Sequence, residues 1–551
     1  MITLSVQINH LASAAVFLDN QLIYFQQEER LSKNKGAGSI PFFVLDDIKK
    51  RVGQIDNLVS TGYNFAGSEE LKHYVEHIDL FKDRKKSQLN HYFKSHHLAH
   101  AFKAVVSSNF KEGLVFVVDG RGCSYNLSNG QVGYETASVY KFKDNNLRCL
   151  HKYVYTNAED VKDLKVKPEV DSVLFALKGV DRLPFEIDEN TKFTLSNELG
   201  MGEIYSHMST ICGFDNEEGK LMGLAAYGQY DEELYNRIKN FDKDYFKFKG
   251  DSMLGNGLIK SNLKYNDYLN IAFNTQKFFE DEQIKLLNKH IDNETNIVLT
   301  GGCALNVVNN YKLKKVFQSK NFYAEPMCGD EGNSIGIGQY EILRHGYKPQ
   351  PIDNICLGNR YNYSNINGVD VQIDQVVNLI KEGHIIALYQ GGCEAGPRAL
   401  GNRSLLLDPT IHNGKDIMNT VKQREKFRPF ACSILHEDVN DWFDMAGINE
   451  SPFMMYGVES KQEDKIKSVI HEDKTCRVQT VKSSQNQVLY DILKEFKNKT
   501  GIPLLMNTSF NLAGETLVET PEDAIDVLKR SKLEYVYFAD IKKLVYIKNN
   551  E

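Results

Sequence analysis

Two groups of residues in this 551-residue chain have the types and spacing for chemistry. The first is SHHLAHA at 95–101, where His96 and His100 stand four residues apart. On a helix that spacing puts both imidazoles on one face, where they can share a metal ion. Imidazole is the commonest ligand of borderline transition metals. His97 points about a third of a turn away and is open to a substrate or supporting role. Asp119 ends the apolar run VFVVD, and Asp330 sits in the Gly-flanked loop PMCGDEG. Either carboxylate can complete a His/Asp ligand set. Such donors suit iron, manganese or zinc, and the sequence does not choose among them. The competing reading is an exposed helix with three histidines; the strand-end and loop positions of the two aspartates weigh against it.

The second group lies at 390–435, in QGGCEAGPRALGNRSLLLDPT and KQREKFRPFACSIL. Arg398, Arg403, Lys422, Arg424 and Arg428 occur among glycines, prolines and apolar residues. Arginine offers a rigid bidentate fork for phosphate or carboxylate, and lysine a point charge. This density of cations near tight turns points to a pocket for a polyanion. Arg477 follows in CRVQTV, and Asn507, Thr508, Ser509 and Asn511 in MNTSFN, at a strand end where amides and hydroxyls suit phosphate oxygens. The alternative is an ion-paired surface with Glu394 and Glu425 as partners.

The elements that must carry these residues are legible in outline. Residues 2–28 read as strand, polar turn, strand, Asp-Asn turn, strand; residues 113–153 repeat the scheme. Apolar runs closed by Asn, Asp and Gly are strand and hairpin signals. NIVLTGGCALNVVNNYKLKK (296–315) reads as a buried strand, a Gly-Gly turn and a helix whose N-terminus suits an anion or an adenosine edge. The two hairpin units suggest a duplicated nucleotide-binding architecture, and the Gly-Gly element placed after them resembles the adenosine motif of the actin/sugar-kinase/Hsp70-type ATPase fold. Turn residues at 345–368 mark a linker, giving domains 1–350 and 351–551. Beyond it, helix–strand alternation resumes, and Thr520-Pro521 opens a capped helix. The second domain is therefore also α/β.

Composition bounds the function. The length calls for at least two domains. A formal net charge of -7 argues against a broad nucleic-acid binder. Nine scattered cysteines without C-x-x-C spacing fit a reducing cytoplasm. The N-terminus does not read as a signal peptide, and the apolar runs are too short to cross a bilayer, so no membrane partner is expected.

With SHHLAHA, VVDGRG, EEGKLMGLAAYG, LTGGCALN, CGDEGNSIGIG, GPRALGNRS, KQREKFRPFA and TGIPLLMNTSFN in order, the chain resembles the NodU/CmcH-type carbamoyltransferase family from about residue 2 to about residue 530. The resemblance implies an actin-like ATPase-fold N-terminal domain and a YrdC-like C-terminal domain. It implies that carbamoyl phosphate and ATP form carbamoyl-adenylate in the second domain. Transfer to an acceptor hydroxyl then follows at a metal site in the first. His96, His100 and Asp330 would ligate the metal, with Asp119 at or beside it. Gly301, Gly302 and Asn306 would hold the adenylate, and Glu218 and Lys220 would approach the ribose or acceptor. Lys422, Arg428, Arg477, Ser509 and Asn511 match positions that bind carbamoyl phosphate and ATP. Arg398, Arg403 and Arg424 belong to the same cationic stretches. The expected cofactors are ATP, Mg2+ and a transition metal, Fe2+ first, with Mn2+ or Zn2+ as alternatives.

One departure stands out: Gly36 follows Lys35 where the family carries a histidine, and His10 in the first turn is expected to take part of its role. His97, Lys220, Lys422 and Arg428 join His10 as the expected catalytic set. The acceptor is a small molecule, a sugar or a hydroxymethylated nucleotide, with the stretches 60–90 and 155–200 expected to shape its site. A homodimer is a further expected partner. A sugar kinase, a tRNA-modifying enzyme and a non-catalytic ATP-binding scaffold are the competing readings.

Overall fold

The computed structural model describes residues 1–61, 65–83, 89–91, 95–167, 190–246 and 264–547. The stretches 60–90 and 155–200 fall partly on 62–64, 84–88 and 168–189, which lie outside the described residues. The chain divides into two compact units. One is Met1–Phe25 with Gly38–Ile352; the other is Gln26–Ala37 with Asp353–Glu551.

The first unit contains one sheet plan twice. β1 (Ile2–Gln7), β2 (Ser13–Leu18), β3 (Gln21–Gln27), β4 (Asn57–Thr61) and β5 (Leu89–His91) run in the order β3-β2-β1-β4-β5. β1 and β2 are antiparallel; β1–β4 and β4–β5 are parallel. In the second sheet, β6 (Glu112–Val118), β7 (Val132–Lys143), β8 (Asn146–Thr156), β9 (Asn296–Thr300) and β10 (Asn321–Ala324) give β8-β7-β6-β9-β10. Here β6–β7 and β7–β8 are antiparallel, while β6–β9 and β9–β10 are parallel. The same order twice over, with β1–β2, β1–β4 and β4–β5 matching β6–β7, β6–β9 and β9–β10 in direction, makes this a duplicated actin-like ATPase fold. β1 and β6 are buried on both faces for nearly their whole length, as central strands covered on both sides must be. Asp19, in the Asp-Asn turn between β2 and β3, takes the left-handed conformation with φ +53°.

Six helices matter for the site: α1 (His96–Ser108), α2 (Met201–Ile211), α3 (Glu218–Ala225), α4 (Tyr265–His290), α5 (Val307–Val316) and α6 (Asn333–Arg344). α1 is buried at every position, so its histidines face protein rather than solvent. α6 packs on α1 with backbones in near contact. A Cβ on Gly336 would fall 2.0 Å from the Ala99 carbonyl oxygen, which only glycine avoids.

The second unit is built on a ten-stranded mixed sheet. Its central strands are β11 (Ile386–Tyr389), β12 (Arg403–Leu407), β13 (Ala431–Leu435), β14 (Thr475–Val481), β15 (Leu504–Ser509) and β16 (Tyr535–Phe538), ordered β16-β11-β12-β15-β13-β14. Its helices include α7 (Gly414–Lys422), α8 (Gln487–Thr500) and α9 (Pro521–Arg530). α8 buries Leu489, Ile492, Leu493 and Phe496, one helical stripe, in the same core as Ile386 and Leu388 of β11. Asn486 caps its start, and Gly501 ends it in the left-handed conformation. α9 begins as its sequence predicts, with Thr520 and Asp523 in a capping box and Pro521 in the first turn.

Candidate metal centre and cation cluster

α1 places His96 and His100 on one face, β6 delivers Asp119 at its end, and the loop before α6 delivers Asp330. Their donor atoms lie within 4.8 Å of one another. His96 Nε2 is 3.1 Å from Asp119 Oδ2 and 3.3 Å from Asp330 Oδ1. His100 Nε2 is 3.4 Å from Asp119 Oδ2, 3.3 Å from Asp330 Oδ1 and 3.3 Å from His96 Nε2. Ligand bonds of about 2.0–2.1 Å give a coordination polyhedron with edges of roughly 2.9–3.4 Å. The four donors therefore have the spacing to hold one ion. The electrostatics agree. Burial lowers the His96 ring's affinity for a proton, but Asp330 and Asp119 overcome it and lift its pKa to about 10. Burial raises both aspartates, yet the histidines hold Asp119 well below the usual carboxylate range and Asp330 below it too. One buried and one largely buried carboxylate facing two imidazoles form a group that could hold a metal ion.

Asp119 joins this centre to the Gly-Gly turn. Its Oδ1 accepts the N–H of Gly120 at 2.9 Å and of Gly302 at 3.3 Å, while Oδ2 faces the histidines. Gly301 has φ +84°, and a Cβ there would lie 2.3 Å from the Val118 carbonyl oxygen. A Cβ on Gly302 would lie 2.9 Å from Asp119 Oδ1. A side chain at Gly301 would strike the backbone of the strand that ends at Asp119, and one at Gly302 would press on the Asp119 carboxylate itself. The helix after this turn starts later than the sequence implied: a 3-10 turn, Gly302–Leu305, intervenes before α5. Asn306 caps α5 by accepting the Asn309 N–H at 3.1 Å, and its amide donates to Gln276 Oε1 at 2.8 Å. Its side chain thus fixes α5 against α4.

In the second unit the expected anion ligands converge on the end of α7. Lys422 Nζ donates to the Ser509 carbonyl, to Ser509 Oγ at 3.1 Å and to Asn511 Oδ1 at 2.6 Å. Burial, then Arg424 and Arg428, hold Lys422 well below the ordinary lysine pKa. Burial, then Arg398 and Arg424, likewise depress Arg477 far below its usual value. Arg424 lies over the Phe430 ring at 4.2 Å and is lowered to about 9 by burial and Arg428. Such mutual depression marks positive charge gathered in low dielectric without an equal negative charge.

The remaining expected residues have other surroundings. Arg403 is fully buried, stacked 3.7 Å over Tyr389, and donates to the carbonyls of Gln390, Gly391, Asn402 and Glu519. It holds the Gly-rich loop together. Glu394 Oε1 does the same from the other side, accepting the N–H groups of Leu400, Asn402 and Arg403 at 2.6, 2.8 and 3.3 Å. His97 is wholly buried with Nδ1 2.7 Å from Ser138 Oγ; burial, with Lys152 nearby, lowers it to about 3 and keeps it neutral. His10 is exposed in the β1–β2 turn. Lys220 pairs with Glu217, and Glu218 accepts the Ser206 hydroxyl at 2.7 Å. Sequence reasoning missed Asn333, whose amide nitrogen lies 3.2 Å from His100 Nε2 and 3.4 Å from His96 Nδ1. A fully polar residue three positions after Asp330, opening a buried helix, was the available signal.

Fold and site together define an enzyme of the duplicated actin-like ATPase type with a His/Asp centre against its Gly-Gly turn. Residues 63–338 match the family model for the carbamoyltransferase N-terminus, and residues 377–543 that for the carbamoyltransferase C-terminus. The chain belongs to the NodU/CmcH-type carbamoyltransferase family. It is similar to an uncharacterised protein of Methanocaldococcus jannaschii, with 29% identity covering 94% of each chain. It is 27% identical to nodulation protein NolNO of Sinorhizobium fredii, over 95% of this chain and 77% of that protein. It is 28% identical to the 3'-hydroxymethylcephem-O-carbamoyltransferase of Streptomyces clavuligerus, over 56% of this chain and 61% of that enzyme.

Proposed function

We propose that the chain is an ATP-dependent O-carbamoyltransferase working in two stages. In the second unit, water attacks the phosphorus of carbamoyl phosphate and breaks its bond to the carbamoyl oxygen, releasing inorganic phosphate and carbamate, and the carbamate oxygen attacks the α-phosphorus of ATP. Pyrophosphate leaves and carbamoyl-adenylate forms. In the first unit, an acceptor hydroxyl attacks the carbamoyl carbon and AMP leaves. The observation that carries the first stage is the cluster around Lys422, where buried cations depress one another. Two phosphorylated substrates supply the missing negative charge. Lys422, steered by Ser509 and Asn511, and Arg477 would neutralise charge that builds on the phosphates in a water-poor site.

For the second stage, His96, His100, Asp119 and Asp330 would hold a divalent transition metal, Fe2+ foremost. Such an ion polarises a carbonyl or lowers the pKa of a bound hydroxyl. Asp119 also orients Gly302, so the turn that would meet the nucleotide and the centre that would meet the acceptor are set by one carboxylate. His97, held neutral by burial, supports this arrangement from behind rather than carrying a proton. The relative named for a hydroxymethylcephem supports a hydroxyl acceptor.

The test is pyrophosphate release by the purified chain with ATP, Mg2+ and carbamoyl phosphate, each omitted in turn. Release is expected only with all three. Lys422→Met should slow it roughly 30- to 1000-fold, the loss of about 2–4 kcal/mol of charge stabilisation. ADP in place of pyrophosphate would make the chain a kinase instead.

A further inference from the structure

We propose that the buried Lys103–Glu325 ion pair is a positioning device for the His/Asp centre, fixing the loop that carries Asp330 against the helix that carries His96 and His100. The inference rests on reading that centre as a metal site. Lys103 lies on α1, three residues after His100 and seven after His96, so it shares their face. Glu325 is the first residue past β10 and stands five before Asp330. The two side chains are paired and almost fully buried, at 2% and 1% exposure.

Both oxygens of Glu325 are engaged. Oε1 takes Lys103 and, at 3.1 Å, the Met327 N–H; Oε2 takes the Tyr323 hydroxyl at 3.2 Å. The carboxylate therefore grips the loop at its start. The lysine stem lies along the loop's other end, where a Cβ on Gly332 would come 3.2 Å from Lys103 Cδ. Asp330 sits between these two holds. It belongs to a loop far from α1 in sequence, yet its oxygen must meet two imidazoles with sub-ångström tolerance.

A buried ion pair is a poor stabiliser: apolar residues of similar size often do as well or better. What it supplies is a single arrangement, because sliding the loop along α1 would leave two charges buried and unpaired. Apolar replacements would keep the elements packed but let the loop shift. The metal site, rather than the fold, should then suffer.

The test uses the full chain and Co2+ as probe, read by its visible absorption and by competition with a chelator. Wild type should bind one Co2+. The double variant Lys103→Met/Glu325→Leu should still unfold cooperatively without metal, its urea midpoint lowered no more than the lost hydrogen bonds from Met327 and Tyr323 account for. It should bind Co2+ at least about ten-fold more weakly, as losses beyond the ligand shell do, with a changed spectrum. A folded double variant with unchanged affinity and spectrum overturns the proposal. A wild type that binds no Co2+ overturns the metal reading itself, a separate result. If the double variant does not fold, Glu325→Gln decides. Weaker Co2+ binding beyond any loss of stability supports the tie, and unchanged binding with lost stability overturns it.

Discussion

Lys422 carries a prediction about protons. Its pKa in the folded chain lies well below the unfolded value of about 10.4, through burial first and Arg424 and Arg428 next. Between those two values the unfolded chain binds more protons, so stability rises as pH rises through that window. Binding an anion reverses the depression and must draw a proton back onto Lys422. Sulfate, which has no titrating proton in this range, should therefore bind with proton uptake. Its affinity should weaken as pH climbs above the depressed value. Calorimetry in two buffers of different ionisation enthalpy measures the uptake. Lys422→Met should reduce it, since Arg424 and Arg477 are depressed too, and cost roughly ten- to a hundred-fold in affinity. Uptake of zero in the parent protein would sink the idea. At this scale the sequence was informative about type and less so about partner. Lys422, Ser509 and Asn511 were legible and meet in space. Arg403 carries the same charge in the same kind of motif, yet it is spent on four carbonyls and a tyrosine ring. A linear pattern does not distinguish an arginine that faces a ligand from one that closes a loop.

Among the elements, the α1–α6 contact decides whether two histidines can meet Asp330. The GNSIGIG run places Gly336 where a methyl group would strike the Ala99 carbonyl at 2.0 Å. Gly336→Ala should push α6 away from α1 and cost about 1–3 kcal/mol through overpacking. It should also weaken Co2+ binding, although it alters no ligand. Gly219→Ala is the control: it sits in α3 with nothing within 4 Å of the added carbon, and should be neutral or stabilising by up to about 1 kcal/mol. Urea denaturation of both variants checks this; equal midpoints would show that the helices can part freely. The strands of both duplicated hairpins were readable because buried apolar runs end in Asn, Asp and Gly. The 3-10 turn at Gly302–Leu305 was not. Three to four residues carry too little periodicity to separate it from the helix it precedes.

At the scale of the whole molecule, the chain divides at Ile352/Asp353, inside the turn-rich stretch, but not there alone. The linker near 345–368 is visible in its turn residues, but Gln26–Ala37 belongs with the second unit. The segment's polar, charged run QQEERLSKNKGA does not say which unit it joins, because its role lies in particular partners. Gln26 donates to Glu519 at 3.0 Å, Gln27 accepts the Gly396 N–H at 3.1 Å, and Arg30 donates to the Gly396 carbonyl at 3.0 Å. Lys33 pairs with Asp523 in the first turn of α9. A fragment of residues 353–551 alone would leave the fully buried Glu519 without its amide partner, and Gly396 without both of its own. Each buried group so orphaned costs about 1–3 kcal/mol, a large share of a domain's net stability. That fragment should therefore unfold at markedly lower urea than one with residues 26–37 joined through a flexible linker. The free 26–37 peptide, added in excess, should raise the midpoint of the shorter fragment in a concentration-dependent way. Equal midpoints with and without the segment would mean that it only decorates the second unit, and that a cut at the linker yields a self-sufficient domain.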